Sequence, residues 1–231
     1  QNKGHKVYND FLSETIAENI LSVHGKPDII TFTNVFAHIE NLNEVLRCVK
    51  TLLSENTLLV IENHYLGSVL KENQFDTFYH EHPRTYSFTS FTFMAKTLQI
   101  PIFSVEFPSR YGGNIRVFLG NPKRTLTQQK LNLEELKIRE NDFSIEFQRL
   151  NANVKKWKVL KSKSLQIEVE KYGKLRAKAF PGRAAILIKL LNLDTEHISA
   201  VYEKPGSMKI GHYLPGTRIP IISDEELFSE G

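Results

Sequence analysis

Short apolar segments rich in β-branched residues alternate with segments of helical spacing in the first part of the chain. Strands are predicted for residues 28–34 (DIITFTN) and 57–63 (TLLVIEN). Helices are predicted for residues 11–23 and 41–53, because apolar side chains recur there every three or four positions. Alternating helices and strands are typical of a parallel, doubly wound sheet. We therefore expect an α/β fold.

The pattern continues with a helix and a pair of strands. Residues 87–98 have helical spacing, and Ser87 can cap the start of that helix. Residues 102–107 and 114–119 look like strands and are predicted to pair antiparallel, with Gly112 and Gly113 in the connection. We expect this hairpin to form the edge of the sheet.

A long amphipathic helix is predicted for the middle of the chain, between residues 127 and 172. Large apolar side chains recur there at spacings of three and four, at Phe143, Phe147, Leu150, Val154 and Trp157. Such a stripe predicts a packing face rather than a cofactor site. We expect this helix to connect a first domain, residues 1–126, with a second, residues 173–231.

The last part of the chain is predicted to form a smaller α/β domain. After Gly173 the pattern gives a strand at residues 175–180, a helix at residues 181–193 and a strand at residues 198–202. A Pro-Gly pair begins the helix. The order is again strand, helix, strand.

The balance of charge argues against two classes of partner. The 231 residues include 30 basic and 26 acidic side chains, for a formal net charge of +4. They form no long run of like charge, so neither a nucleic-acid groove nor contact with an anionic membrane is expected. A small anionic ligand such as a diphosphate is compatible with the basic excess. No apolar run is long enough for a membrane span, and no signal-peptide pattern occurs.

The single cysteine, Cys48, excludes an internal disulfide. It lies in a helix-patterned segment, which predicts a small buried thiol. A reducing, cytoplasmic setting is therefore expected. The first residue is Gln1 rather than methionine, and we expect the chain to continue a longer polypeptide.

The densest cluster of proton-transferring groups is the segment Tyr79-His80-Glu81-His82. In an extended segment alternate side chains share a face, so His80 and His82 would lie on one side and Tyr79 and Glu81 on the other. Metal binding is a rival interpretation, but the histidines lack the helical spacing of a zinc protease and no thiolates lie nearby. A structural interpretation, in which backbone carbonyls satisfy both histidines, also stays open.

Two further segments point to the same place. Ligands of doubly wound sheets bind beyond the carboxyl ends of the strands, and Asn34 and His38 follow the end of the first predicted strand. Gly112 and Gly113 permit a close backbone approach, and Arg116 follows them as a fixed cation. His38 could instead cap a helix, and Arg116 could be a surface strand residue.

Together these segments resemble the sugar C-methyltransferases that act on nucleotide-linked 4-keto deoxysugars. The resemblance covers nearly the whole chain, in order, and is carried by NVFAHIENL (34–42), FDTFYHEHPRTYS (75–87), YGGNIRVF (111–118) and HYLPGTRIPI (212–221). It implies a Rossmann-like methyltransferase sheet, incomplete at its amino terminus, and a carboxyl-terminal domain that binds the nucleotide sugar. It also implies S-adenosylmethionine as the cofactor.

The resemblance implies a mechanism that suits these residue types. Methylation of a carbon beside a ketone requires a base for the C–H proton and a group that stabilises the enolate. By position, His82 is the expected base, with Tyr79 as alternative base or oxyanion donor and Glu81 orienting one of them. Asn34 and His38 would line the same site. No metal is required for this step.

The chain departs from the family pattern in two respects. Members of the family begin with a cysteine-rich zinc domain and a Gly-rich turn for the cofactor, neither of which occurs in these 231 residues. We therefore expect the isolated chain to bind S-adenosylmethionine weakly or not at all. In the last domain, the phosphate turn of the family is represented by Phe180-Pro181-Gly182, and its acidic segment by Tyr202-Glu203-Lys204.

Three functions are compatible with the sequence. The first is C-methylation of a keto-sugar nucleotide, which uses the whole acid and base constellation. The second is a binding module, or degenerate homologue, that holds a nucleotide sugar without methylating it. The third is an epimerase or isomerase that uses the same base without a methyl donor. Methylation is the function that the sequence favours.

Overall fold

A four-stranded mixed sheet organises the first half of the chain. The computed structural model describes residues 4–121 and 132–229. The strands are β1 (Ile29–Thr33), β2 (Leu58–His64), β3 (Ile102–Glu106) and β4 (Asn114–Leu119), in the spatial order β1-β2-β4-β3. β1 and β2 are parallel, whereas β4 runs antiparallel to both β2 and β3. The predicted strands and the antiparallel edge pair are confirmed.

Five helices accompany this sheet: α1 (Glu14–His24), α2 (Leu42–Leu52), α3 (Leu66–Lys71), α4 (Phe88–Leu98) and α5 (Leu133–Glu140). Side chains fix where four of them begin. At α5 the Asn132 side chain accepts from the amides of Glu134 and Glu135. The Ser13 hydroxyl accepts from the amide of Ile16, and the Asn41 side chain accepts from the amide of Glu44. Ser87 and Ser90 form a reciprocal capping box at the start of α4. The predicted helices α1, α2 and α4 are confirmed, whereas α3 was not predicted.

The core of this part lies on one face of the sheet. Alternate residues of β2 and β4 point to that face, and Leu59, Ile61, Val117 and Leu119 are all buried in one hydrophobic cluster. Aromatic residues of α4, Phe88 and Phe91 among them, belong to the same cluster. The intervening residues of β2, Glu62 and His64, therefore point to the opposite face.

The helical connector is broken rather than continuous. Its residues 127–131 lie outside the described residues, and the rest forms α5 and the 30-residue helix α6 (Phe143–Tyr172). The predicted packing face of α6 is confirmed in part: Leu150 is buried, and the Trp157 ring lies 5.1 Å from that of Phe75. Phe147 is 42% exposed. No helix in the described part of the chain is both long and apolar enough to cross a membrane.

A second, smaller sheet contains three parallel strands in the order β5-β6-β7. These are β5 (Leu175–Lys178), β6 (Ile198–Glu203) and β7 (Ile221–Ser223), with α7 (Ala184–Leu191) between the first two and α8 (Asp224–Ser229) after the last. β5, α7 and β6 were predicted. β7 and α8 were not, because β7 has only three residues and follows a proline-containing loop.

Contacts divide the chain into two compact units. The first contains residues 1–72 and 80–146, and the second contains residues 73–79 and 147–231. The first unit therefore holds the mixed sheet and α1 to α5, and the second holds the parallel sheet and most of α6. Domain boundaries at residues 126 and 172 stay a prediction.

Candidate functional site

Two histidines from separate segments meet beyond the carboxyl end of β1. His38 is the last residue of a short 3-10 helix, Phe36–His38, that follows β1. His82 lies in an irregular segment before α4. Their ring centroids are 4.7 Å apart, with the ring planes inclined at 69°. The structure therefore brings together the two histidines that the sequence analysis assigned to one site.

Hydrogen bonds from the segment after His82 join it to the residues before and after His38. The Tyr86 hydroxyl donates to the carbonyl of Phe36 at 3.0 Å. The Arg84 guanidinium donates to the carbonyls of Ile39 and Glu40. Because these donors lie two and four residues after His82, they hold its segment against the 3-10 helix that carries His38.

A third histidine, which the sequence analysis missed, joins the pair. His64 is the last residue of β2, and its ring centroid lies 5.6 Å from that of His82. The Tyr111 ring also contacts His64, and their ring centroids are 6.1 Å apart. The sequence contained one signal for His64, since it ends a strand whose carboxyl end was expected to face the site. We call His38, His64 and His82 the histidine cluster.

A buried carboxylate lies on the same strand face, two residues before His64. Glu62 is 1% exposed. Arg110 binds it through two hydrogen bonds of 2.6 and 2.8 Å, and the Arg116 Nε atom donates to it at 2.7 Å. The Asn114 amide nitrogen adds a fourth bond of 2.8 Å. Both oxygens of this carboxylate are therefore fully used.

These contacts decide the protonation state of Glu62. Burial by itself raises the pKa of the carboxyl, but the bonds from Arg110, Asn114 and Arg116 outweigh it and lower the pKa to about 2. Glu62 is consequently ionised at any pH near neutrality. Its charge positions the two guanidinium groups instead of moving protons.

Arg116 is therefore committed to partners within the chain. Its guanidinium contacts Glu62 and, through Nη1, the carboxylate of Glu106 at 2.9 Å. The two carboxylates balance the charge expected to bind an anion. Arg110, which shares Glu62 and is 49% exposed at its side chain, was not predicted from the sequence.

The glycine pair before β4 makes a close approach to the chain itself. Gly113 has φ of 115°, and a Cβ atom there would lie 2.4 Å from the Ser68 hydroxyl. Gly112 also has positive φ, of 81°. Between Arg110 and these glycines stands Tyr111, a non-glycine residue with φ of 56°. The close approach predicted for this turn is therefore made by Ser68 of α3.

Asparagines line the ends of the strands beside the histidine cluster. The Asn34 side-chain oxygen accepts from Asn114 at 3.2 Å. Asn34 also has φ of 54°, and its backbone amide donates to the Glu62 carbonyl at 2.8 Å. Within residues 4–121 and 132–229, the buried Asn114 Oδ1 and both polar atoms of the buried Asn63 amide have no hydrogen-bond partner. Asn114 is paired in register with His64 and shares its face of the sheet, so its oxygen fits a site that binds polar ligand atoms, whereas Asn63 lies on the core face with Ile61.

The remaining members of the Tyr-His-Glu-His segment differ in environment. The His80 side chain is 82% exposed, and its Nε2 lies 3.8 Å from Glu81 Oε1. Tyr79 belongs to the second unit, and His80, Glu81 and His82 belong to the first. In the part of the chain that the structure describes, no three His, Cys, Asp or Glu side chains are placed to hold one metal ion.

A second buried carboxylate fixes the helix that follows this segment. Glu140, at the end of α5, accepts from the backbone amides of Phe88 and Thr89 at 2.7 and 2.8 Å. It also accepts from the Thr89 hydroxyl at 2.5 Å and the Tyr65 hydroxyl at 3.1 Å. Burial, followed by the Glu140 charge, raises the pKa of Tyr65 above its usual range. Glu140 thus caps α4 from another helix.

In the second unit, the two segments expected to contact the nucleotide are bonded to each other. The Phe180 amide donates to the Glu203 carboxylate at 3.0 Å, and the Lys209 ammonium donates to the Phe180 carbonyl at 2.6 Å. Lys209 also lies 3.3 Å from Glu203. All three residues lie at or after the carboxyl ends of β5 and β6, where ligands of parallel sheets bind.

Known proteins match this chain along most of its length. Residues 109–231 match the family described as the C-methyltransferase C-terminal domain, and residues 2–99 match a family described as a methyltransferase domain. The chain is 28% identical over 223 residues to the C-methyltransferase NovU of Streptomyces niveus. That match covers 91% of this chain and 51% of NovU, so the chain spans about half the length of this curated relative.

Proposed function

The chain belongs to the C-methyltransferase family, and from that premise we propose that the protein methylates a carbon beside the ketone of a nucleotide-linked keto-deoxysugar. The methyltransferase domain implies S-adenosylmethionine as the methyl donor. The sugar nucleotide and the enolate mechanism are our proposal. The observation that carries it is the histidine cluster, which puts His38 and His64 against the residue that the sequence assigns as base.

The described residues fit part of the cofactor. Asn34 and Asn114 present amides at the carboxyl ends of β1 and β2, where this fold class binds ligands. The buried Asn114 Oδ1 has no hydrogen-bond partner within the described residues, and a bound N–H or O–H group would satisfy it. When bound, S-adenosylmethionine supplies an electrophilic methyl group on a sulfonium sulfur.

The proposed first step is a proton transfer to His82. A neutral imidazole accepts a proton near neutral pH, so His82 takes the proton from the carbon beside the ketone. The electrons of that C–H bond become the enolate. His38 lies 4.7 Å from His82, centroid to centroid, and donates a hydrogen bond to the sugar from the same wall of the site.

The second step forms the new carbon–carbon bond. A bound S-adenosylmethionine would supply the methyl group that the enolate carbon takes up, which would leave S-adenosylhomocysteine and restore the ketone. Tyr79, by its place in the sequence, is the alternative base or the donor to the enolate oxygen, and Glu81 orients one of the two. The protonated His82 then returns its proton to solvent.

Methyl transfer to a defined carbon tests this proposal. The full protein is incubated with nucleotide-linked 4-keto deoxysugars and S-adenosylmethionine carrying a ¹³C-labelled methyl group. We expect a product in which the label is bonded to the carbon beside the ketone, as read by NMR. Exchange of that carbon's hydrogen with solvent and no methylation would instead identify an isomerase. Sugar-nucleotide binding with neither reaction would identify a binding module.

A further inference from the structure

We propose that His64 is a positioning residue that holds the His82 ring in its reactive orientation. This inference rests on the proposed function, because it assigns His64 a part in the same reaction. His64 belongs to none of the sequence segments that carry the resemblance to sugar C-methyltransferases. Its role follows from the contacts of three rings and from the rigidity of the strand that carries it.

The segment around His82 needs support from outside itself. Residues 78–85, between the 3-10 helix Phe75–Thr77 and the bridge at Tyr86, form neither helix nor strand. No ladder of backbone hydrogen bonds therefore fixes this stretch. The side chains that contact a base in such a segment therefore help to fix its orientation.

His64 stands at the carboxyl end of one of the two central strands of the sheet. β2 lies between β1 and β4, and His64 is paired in register with Asn114. The next backbone amide, that of Tyr65, donates to the Gly113 carbonyl at 3.1 Å. The backbone is thus held to β4 at His64 and at the next residue, although β1 pairs with β2 only as far as Glu62. The His64 ring therefore starts from a fixed backbone position beside the His82 ring.

The contact between the two rings is edge to face. Their centroids are 5.6 Å apart and their planes are inclined at 68°, the inclined arrangement that aromatic rings favour. His38 makes a contact of the same kind with His82, at 69°. Two inclined rings restrict rotation of the third, which selects one orientation of the imidazole.

Tyr111 in turn restrains His64. Its ring lies 6.1 Å from His64 at 65°, and its backbone has φ of 56° and ψ of 27°. A bulky residue in this region is strained, and such strain persists only where the surroundings enforce it. Here the neighbouring Arg110 is clamped by the buried Glu62, and Gly113 is packed on Ser68. The turn is therefore held in place independently of any ligand.

Substitutions of His64 separate positioning by the ring from proton transfer. We expect His64→Ala to lower kcat about 10- to 100-fold, since a displacement of about 1 Å at a catalytic group has effects of this size. KM should stay within about threefold, because His64 is not assigned to substrate binding. His64→Phe keeps an aromatic edge and should restore most of kcat. His24→Ala removes a similar edge contact, between the last residue of α1 and Tyr8, and should leave kcat unchanged.

A second readout needs no activity. In NMR spectra of the imidazole groups, with His82 assigned by its loss in His82→Asn, His82 should give one sharp signal in the wild type and in His64→Phe. It should broaden or split in His64→Ala. Unchanged His82 signals in His64→Ala would overturn the positioning role. So would equal losses of kcat in His64→Ala and His64→Phe, since His64 would then act through its nitrogens. If the wild type transfers no methyl group while the NMR result holds, the proposed function fails and the positioning role stands.

Discussion

At the scale of the residue, His82 differs from its neighbour His80 in the side chains that surround it. The His82 ring contacts two other imidazoles, whereas the His80 side chain is largely exposed beside Glu81. Both histidines stand in one short segment and have the same intrinsic chemistry. Their difference in surroundings permits a matched comparison of the two side chains.

Replacement of His82 by asparagine should abolish or strongly reduce methyl transfer in the full protein. Asparagine keeps the size and hydrogen-bonding capacity but accepts no proton near neutral pH. A general base contributes about 10²- to 10⁴-fold, so kcat should fall by about that factor while binding of the sugar nucleotide is retained. The measurements are steady-state kinetics and calorimetry.

The exposed His80 provides the control for that substitution. His80→Asn should keep kcat close to that of the wild type. Tyr79→Phe tests the alternative assignment of the base. If Tyr79→Phe is the more damaging change and His82→Asn retains most activity, the two roles are reversed and the tyrosine is the base.

Glu62 predicts a dependence of stability on pH. Its pKa is lowered from 4.5 to about 2 in the folded protein, so the folded state binds its proton less tightly than the unfolded state. The stabilisation is fully present above pH of about 4.5 and is lost as the pH falls toward 2. A shift of this size corresponds to about 3 kcal/mol.

Hydrogen exchange of the β2 and β4 amides measures this contribution where it acts. Between pH 5 and pH 2, the wild type should lose about 3 kcal/mol more than Glu62→Gln, which has no charge to lose. Glu18→Gln, at an exposed position of α1, should behave like the wild type. Parallel acid profiles for the wild type and Glu62→Gln would show that the Glu62 charge does not support the fold.

Several residues of the site could not be predicted from the sequence, for a physical reason. His38 and His82 could be expected to meet, because the carboxyl ends of parallel strands collect functional side chains. The partners of Glu62 could not, since Arg110 is 48 positions away and the pairing depends on the turn before β4. Arg116 was expected to bind an anion. Its carboxylate partners, Glu62 and Glu106, could not be identified from the sequence, because they are set by the register of β2, β3 and β4.

At the scale of the element, α5 ends before α6 and caps the start of α4. The end of α5 provides Glu140, whose carboxylate accepts from the first two amides of α4. Those amides have no partner within their own helix. The cap thus comes from another helix, in addition to the local box formed by Ser87 and Ser90.

Glu140→Gln should destabilise α4 by about 2 to 3 kcal/mol, because a neutral amide leaves some of the four donors, two of which are buried, poorly satisfied. Hydrogen exchange of the α4 amides should speed up correspondingly. Glu135→Gln is the matched control, since Glu135 is exposed on the same helix and should change stability by less than about 0.5 kcal/mol. Equal protection of α4 in the two variants would refute the capping role.

Elements with a regular apolar pattern could be predicted from the sequence, whereas elements defined by their pairing in the fold could not. α1, α2, α4 and the first four strands have strong apolar periodicity. β7 has three residues and is defined by its pairing with β6 rather than by its own pattern. The break between α5 and α6 was missed because residues on both sides of it continue the helical spacing.

At the scale of the whole molecule, each unit contains its own sheet and its own hydrophobic core. The first unit contains the histidine cluster, and the second contains the contacts among Phe180, Glu203 and Lys209. The family matches divide in a related manner, with a methyltransferase domain over residues 2–99 and the C-methyltransferase C-terminal domain over residues 109–231. These matches show the family, whereas the methyl-transfer reaction and its substrate are both proposed.

Solvent exchange at the reacting carbon tests the central claim most directly. The full protein is incubated in deuterium oxide with a nucleotide-linked 4-keto deoxysugar and S-adenosylhomocysteine, so that no methyl group consumes the enolate. We predict that the wild type incorporates deuterium at the carbon beside the ketone and that His82→Asn does not, whereas His80→Asn exchanges like the wild type. Exchange at the wild-type rate in His82→Asn, or methylation by a wild type that shows no exchange, would contradict the assignment of His82 as the base that forms the enolate.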